Sequence, residues 1–186
     1  LNTKVPFQES DSINLVNSPY AASKKATEIM AGLYNQLYNL PVIGLRFFTV
    51  YGPRGRPDMA PYKFLINIHK GLKFDKYGDG STRRDYTYID DIIDGIIGAI
   101  KNKNKISCEI YNLGNTKTIS LNEFIKLCEK ITGKKAHYNE LPDQKGDVPI
   151  TFSDINKAKL DLDYNPKTSF EIGLKKMYDW LIKNII

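Results

Sequence analysis

With 186 residues, 41% of them hydrophobic and 26% charged, the chain can bury one sizeable core and has the composition of an ordinary soluble globular protein. No run approaches the roughly 18 apolar residues of a membrane span, and the two cysteines, Cys108 and Cys128, are too few for a disulfide framework and read as reduced core residues of a cytoplasmic protein. The net charge of +6 comes from 22 Lys and 5 Arg spread along the chain without a dense basic run, which points to a solvated surface and away from nucleic acid and membrane.

The opening Leu-Asn-Thr-Lys is neither a signal peptide nor an initiator Met, so the chain reads as a piece of something longer. Residues 4–17 are polar, turn-rich and without periodicity, as in a loop. Ser18 then suits a helix cap and Pro19 a first helical position, and the helix predicted there ends near Asn39 and Leu40, ahead of Pro41. Within it Ile29, Leu33, Leu37 and Leu40 follow helical spacing, as do Met30, Tyr34 and Tyr38. Together they give a wide apolar face fit for a sheet and a partner. Residues 42–48 are nearly all apolar, as in a strand buried on both faces of a parallel sheet.

An exposed loop over residues 52–61 carries Arg54, Arg56 and Asp58. A helix is predicted over 61–70, then short strands over 73–77 and 85–88, parted by the turn Gly78-Asp79-Gly80-Ser81. Ile89, Ile92, Ile93, Ile96, Ile97 and Ile100 make one apolar stripe on a helix over 89–101. Asp90 and Asp91 stand at its N-terminal end and Lys101 at its C-terminal end, as the helix dipole prefers. A strand over 110–113 leads to the capping box Ser120-x-x-Glu123, whose helix runs to about Thr132 and stops at Gly133. A short helix near 154–160 and a last one, opened by Thr168-x-x-Glu171 and running to about Lys183, complete the chain. Strands alternating with helices indicate an α/β protein with parallel pairing. No Gly-rich strand-to-helix turn precedes Tyr20, and Gly52-Pro53-Arg54-Gly55 has the wrong spacing for a dinucleotide fingerprint.

The chemistry is best placed at Ser18-Pro19-Tyr20-Ala21-Ala22-Ser23-Lys24. A helix opening at Pro19 sets Tyr20 and Lys24 one turn apart on one face. A neighbouring ammonium favours the phenolate, and lowering a tyrosine pKa from about 10 toward neutrality corresponds to roughly 4 kcal/mol. Tyr20 then becomes a usable general acid or base. Twelve Tyr and 22 Lys predict about 1.4 such pairs by chance, so the spacing alone decides nothing; its place at a helix start after a long loop gives it weight.

This segment resembles the catalytic helix of the extended short-chain dehydrogenase/reductase family, and three later stretches narrow the resemblance. Leu45-Arg46-Phe47-Phe48-Thr49-Val50-Tyr51-Gly52-Pro53-Arg54-Gly55-Arg56-Pro57-Asp58-Met59-Ala60 is similar to nucleotide-sugar epimerases, closest to the UDP-glucuronate 4-epimerases. Gly78-Asp79-Gly80-Ser81-x-x-Arg84-Asp85 with Tyr88-Ile89-Asp90-Asp91, and Gly146-Asp147-Val148-Pro149 with Asp154, resemble the family's phosphate-binding arginine and late substrate-domain motif. The match runs in order along essentially the whole chain.

The resemblance implies the C-terminal part of a Rossmann-type doubly wound parallel sheet plus a small α/β substrate-binding domain. Residues 1–51 and 85–115 would belong to the first, and 52–84 and 116–186 to the second. It makes Tyr20 the acid/base and Lys24 its partner and the ligand of the nicotinamide ribose of NAD, with Phe47 and Phe48 passing the nicotinamide. Thr49 would lie near the sugar carboxylate, Arg56 and Arg84 would face the acidic groups, and Met59, Tyr77 and Asp147 would meet the nucleotide. A guanidinium fork suits a diphosphate. The implied activity is 4-epimerisation of UDP-glucuronate, with a 4,6-dehydratase, a uronate decarboxylase or a silent nucleotide-sugar-binding module as alternatives. The expected partners are a UDP-sugar and a second copy of the chain, paired through the helix at Pro19.

Read from the residues alone, Arg84 could instead pair with Asp85, Asp90 or Asp91, and Arg56 could be a solvated surface residue. Tyr77 and Phe47 could be core, and Asp147 a turn residue. His69 and His137 have no partner motif, and no Cys/His/carboxylate cluster has metal-ligand spacing.

Overall fold

The long helix α1, Pro19–Tyr38, begins and ends where its punctuation requires. The Ser18 hydroxyl accepts from the Ala21 amide at 3.1 Å, and Asn39, left-handed at φ 52°, closes it ahead of Pro41. The computed structural model describes residues 4–11, 16, 18–144 and 148–186; part of the loop expected over 4–17, and Asp147, lie outside these. α1 buries none of its residues, and Ile29, Met30, Leu33, Tyr34 and Leu37 are all exposed.

β1, Val42–Phe47, pairs in parallel with β5, Cys108–Leu113, Val42 lying beside Cys108 and Phe47 beside Leu113. The strand is parallel as expected, but it is not buried on both faces. It is half-buried along its length and Phe47 keeps 50% of its surface, because β5 is its one hydrogen-bonded neighbour among the described residues. Its apolar side chains therefore fill only part of the surface that a central strand would bury. After Phe48 the chain enters a second sheet as β2, Thr49–Tyr51. β2 is parallel to β4, Arg83–Tyr88, which is antiparallel to β6, Thr118–Ser120. A third pair, β3, Lys73–Tyr77, and β7, His137–Leu141, is parallel. β6 and β7 carried no strand signal: one is three residues long, and the other is almost wholly exposed and half polar.

Two apolar clusters hold these pieces. One packs Leu65 and Ile68 of α2, Ala60–Lys70, with Phe124 and Cys128 of α4, Leu121–Thr132, and Leu174, Met177 and Leu181 of α6, Phe170–Asn184, around Tyr51 and Tyr86. The other packs Ile92 and Ala99 of α3, Ile89–Asn102, with Tyr111 and Leu113 of β5 and Ala158 and Leu162 of α5, Asn156–Leu162.

Three local expectations are corrected. The isoleucines of α3 are not one buried stripe: Ile92, Gly95, Gly98 and Ala99 face inward while Ile93, Ile97 and Ile100 are exposed, so the helix is too broadly apolar for one interface. Cys108 is exposed at the start of β5, whereas Cys128 is wholly buried, which pushes its thiol pKa up. The cap of α6 is Ser169, whose hydroxyl accepts from the Ile172 amide, and not Thr168; the Thr168 amide donates instead to buried Asp91 at 3.1 Å.

Candidate functional site

Tyr20 lies in the first turn of α1 and keeps 71% of its surface. Lys24, one turn on and exposed, holds Nζ 5.4 Å from the centroid of the Tyr20 ring, within cation–π range. The helix thus delivers the phenol and the ammonium as neighbours.

The height of this pair follows from helix and strand geometry. Glu28, eight residues past Tyr20, binds Arg46 of β1, and Asn35 further along bonds the Ser107 carbonyl beside the start of that strand, so α1 and β1 run in opposite senses. Eight helical residues are about 12 Å, which is three to four residues of strand. Tyr20 therefore stands at the carboxyl end of β1, which closes at Phe47, where open α/β sheets collect their ligands.

Phe47 is the last, half-exposed residue of β1. The Phe48 amide donates to the Leu113 carbonyl at 3.0 Å, and its ring lies 6.4 Å from Phe7. Thr49 opens β2 opposite Tyr86. The chain then turns at Gly52, whose φ of 148° suits glycine and where a Cβ would come within 2.6 Å of Ile89 Cγ2. Arg56 in this turn is exposed and forks onto Asp58, Nε to Oδ1 at 3.1 Å and Nη2 to Oδ2 at 2.6 Å. Its pKa is raised chiefly by the Asp58 carboxylate, and the phenol of Tyr20 is near enough to contribute. Met59 is the N-cap of α2.

Tyr77 and Arg84 belong to a second group. Tyr77, 39% exposed, ends β3, and Arg84 follows on β4 across the turn Gly78-Asp79-Gly80-Ser81, half-buried, with Nη1 donating to the Arg83 carbonyl at 2.8 Å. Arg83 is committed to β6, with Nε on the Thr118 hydroxyl and Nη2 on the Thr118 carbonyl. Asp91 accepts from the Lys167 and Thr168 amides, and Asp85 from Asn115 and Ser153.

Asp85 was missed as anything but a partner of Arg84. It is wholly buried. Burial pushes its pKa up, against hydrogen bonds from Ser153, Asn115 and Thr116 that pull it down. The signal for such a network was the pair Asn112 and Asn115 at the end of an apolar run, since buried asparagine there requires partners. Among the described residues no group of three or more His, Cys, Asp or Glu could hold a metal ion, and no helix is long and apolar enough to cross a membrane.

The model of the NAD dependent epimerase/dehydratase family matches residues 2–114, more than half of the chain. The chain belongs to this family. Its resemblance to the nucleotide-sugar epimerases is borne out by relatives: it is 47% identical over 98% of its length to an uncharacterized protein of Methanocaldococcus jannaschii, and 43% identical over 97% to the UDP-glucuronate 4-epimerase of Thermodesulfobacterium geofontis. It spans 56% and 55% of those two proteins, about half of their length. Among solved structures, the UDP-glucuronic acid 4-epimerase of Bacillus cereus in complex with UDP-glucuronic acid and NAD superposes with a TM-score of 0.91 at 36% identity, over 97% of this chain and 57% of that one. The dTDP-glucose 4,6-dehydratase of Bacillus anthracis in complex with NAD gives 0.88 at 29% identity, over 99% and 58%. The α/β fold with parallel strands is therefore the epimerase family's own.

Proposed function

We propose that these residues serve the catalytic and nucleotide-sugar-binding part of an NAD-dependent UDP-sugar 4-epimerase that interconverts UDP-glucuronate and UDP-galacturonate. The observation that carries this is the exposed Tyr20 phenol with the Lys24 ammonium beside it, level with the carboxyl end of β1. Likeness to UDP-glucuronate 4-epimerases supports the substrate.

The residues present fit the nicotinamide end of the cofactor: a phenol and a primary ammonium, both facing solvent, stand near the exposed end of β1 at Phe47 and Phe48. NAD, when bound there, supplies the two-electron acceptor and donor for C4 of the sugar. Tyr20 takes the proton of the 4-hydroxyl and returns it. Lys24, its ammonium held over the Tyr20 ring, would donate to the nicotinamide ribose. Thr49 would lie by the sugar carboxylate, and Arg56 and Arg84 would take acidic groups, which for Arg56 requires opening its fork with Asp58. Tyr77, Met59 and Asp147 remain the proposed nucleotide contacts. The proposed division puts residues 1–51 and 85–115 with the cofactor and 52–84 and 116–186 with the substrate. The two separate apolar clusters follow this division in part: residues 155–164 pack on the cofactor side, and Tyr51, Tyr86 and Tyr88 pack on the substrate side.

The proposed assembly is a homodimer through α1, supported by the exposed apolar side chains of this helix, Ile29, Met30, Leu33, Tyr34, Leu37 and Tyr38, and the proposed location is the cytoplasm. The test of function is interconversion of the two UDP-uronates by the enzyme that contains this chain. Tyr20→Phe should lower the rate by about 10²- to 10⁴-fold, and an unchanged rate would overturn the assignment.

A further inference from the structure

Residues 149–154 form a strap between two parts of the site. On one side the Arg83 amide donates to the Pro149 carbonyl at 2.8 Å and the Thr151 amide to the Arg83 carbonyl at 3.0 Å. On the other the Phe7 amide donates to the Phe152 carbonyl at 2.7 Å and the Asp154 amide to the Phe7 carbonyl at 2.9 Å. The strap thus runs from the strand that carries Arg84 to the segment upstream of Tyr20. Asn112, 2% exposed, pins its far end by donating to the Phe7 and Asp154 carbonyls.

Asp85 pins the near end. Its Oδ2 accepts from the Ser153 hydroxyl at 2.5 Å and the Ser153 amide at 3.1 Å, and its Oδ1 from the Asn115 amide at 2.8 Å and the Thr87 hydroxyl at 3.4 Å. Gly114 leaves room for the junction: a Cβ there would overlap the Ser153 hydroxyl and stand 2.8 Å from Asp85 Oδ2. Alternation along β4 turns Asp85 and Thr87 to this face and Arg84 and Tyr86 to the other. One buried carboxylate therefore anchors the strand next to Arg84 from the face opposite to the Arg84 side chain, and the backbone bonds of Arg83 to the strap hold the other side.

We propose that Asp85 is a positioning residue that holds Arg84 at the nucleotide diphosphate by locking β4 to the 149–154 strap. This rests on the reading of Arg84 as a diphosphate ligand. An anionic acceptor is required because the donors of Ser153, Asn115 and Thr87 converge on two oxygens; an amide would present a donor of its own to one of them.

Calorimetric titration of UDP, and separately of uridine, into the 186-residue chain tests this. Wild type is compared with Asp85→Asn, Ser153→Ala, Arg84→Ala and the double variant Arg84→Ala/Asp85→Asn, with folding followed by thermal unfolding. Asp85→Asn should weaken UDP about tenfold and Ser153→Ala about threefold, while uridine stays within about twofold. In the Arg84→Ala background Asp85→Asn should make no further difference, because both act through one contact. Equal losses for UDP and uridine, or a full additional loss in that background, overturn the proposal and leave Asp85 a purely structural residue. Where Asp85→Asn does not fold, the UDP-to-uridine ratio of Ser153→Ala decides by the same criterion. A wild-type chain that binds no UDP overturns the underlying reading, and the proposal with it, before any variant is made.

Discussion

The Arg46 guanidinium donates to both carboxylate oxygens of Glu28, Nε to Oε1 at 2.6 Å and Nη2 to Oε2 at 2.9 Å, and so fastens β1 to the middle of α1. Since α1 buries no residue within the chain, this fork and the bonds of Asn35 to Leu40 and Ser107 carry much of its attachment.

Glu28→Gln should therefore destabilise the chain by about 1–2 kcal/mol, the value of a charge-assisted fork still partly in water. Arg46 holds the Glu28 carboxyl below the usual carboxylate range. A folded pKa below the unfolded one means that the stabilisation is present above the unfolded value, about 4.3, and is lost as pH falls through the lower folded value. Urea unfolding of both proteins across pH 2–7 should show a gap that closes only in acid. A gap independent of pH would contradict this.

The 186-residue chain should not bind NAD measurably. The pyrophosphate-cradling glycine turn is not among its residues, and Tyr20 and Lys24 address only the nicotinamide end. Micromolar affinity in a calorimetric titration would count against this assignment.

In the enzyme that contains this chain, Arg84→Ala should raise the substrate KM strongly, with a loss of roughly 2–4 kcal/mol. Arg84→Lys should recover only part, because an ammonium lacks the planar fork. Unchanged kinetics for the alanine variant would return Arg84 to a structural role.

Two glycines on helices should respond with opposite sign. Gly98 of α3 packs against the Leu162 carbonyl of α5, where a Cβ would overlap backbone, so Gly98→Ala should cost about 1–3 kcal/mol despite better helix propensity. Gly32 of α1 has nothing within 4 Å of its Cβ position, so Gly32→Ala should stabilise by about 0.5–1 kcal/mol. Shifts of the same sign in thermal unfolding would refute the contrast.

Light scattering at about 100 µM should find a dimer, since contacts of roughly −6 to −8 kcal/mol are populated there. Replacing Leu33 and Leu37 by Ser should yield monomer. A wild-type monomer at that concentration excludes the α1 interface.

Elements with strong punctuation were readable from the sequence. Ser18 and Pro19, the Ser120/Glu123 box and Gly133 place two helices to within a residue or two, because caps act through neighbouring backbone. Burial was harder to read. The apolar run at Val42 does not say how many strands flank it, and six isoleucines on α3 do not say which of them find a partner. Of the site, Tyr20 and Lys24 were readable because a helix turn alone joins them. Asp85 depends on Ser153, 68 residues away, and no local pattern encodes that.

The parallel pairing of β3 with β7 has a consequence for the nascent chain. Asp75 and Asn139 face each other across 64 residues, so a ribosome must release all of that intervening chain before β3 finds its mate. During this interval Phe74 and its neighbours are a β-prone segment with an open edge. Lys73 and Asp75 point outward from it in the finished fold. In the waiting chain the same two charges act as gatekeepers, discouraging one unfinished copy from adding its strand to another on the same messenger.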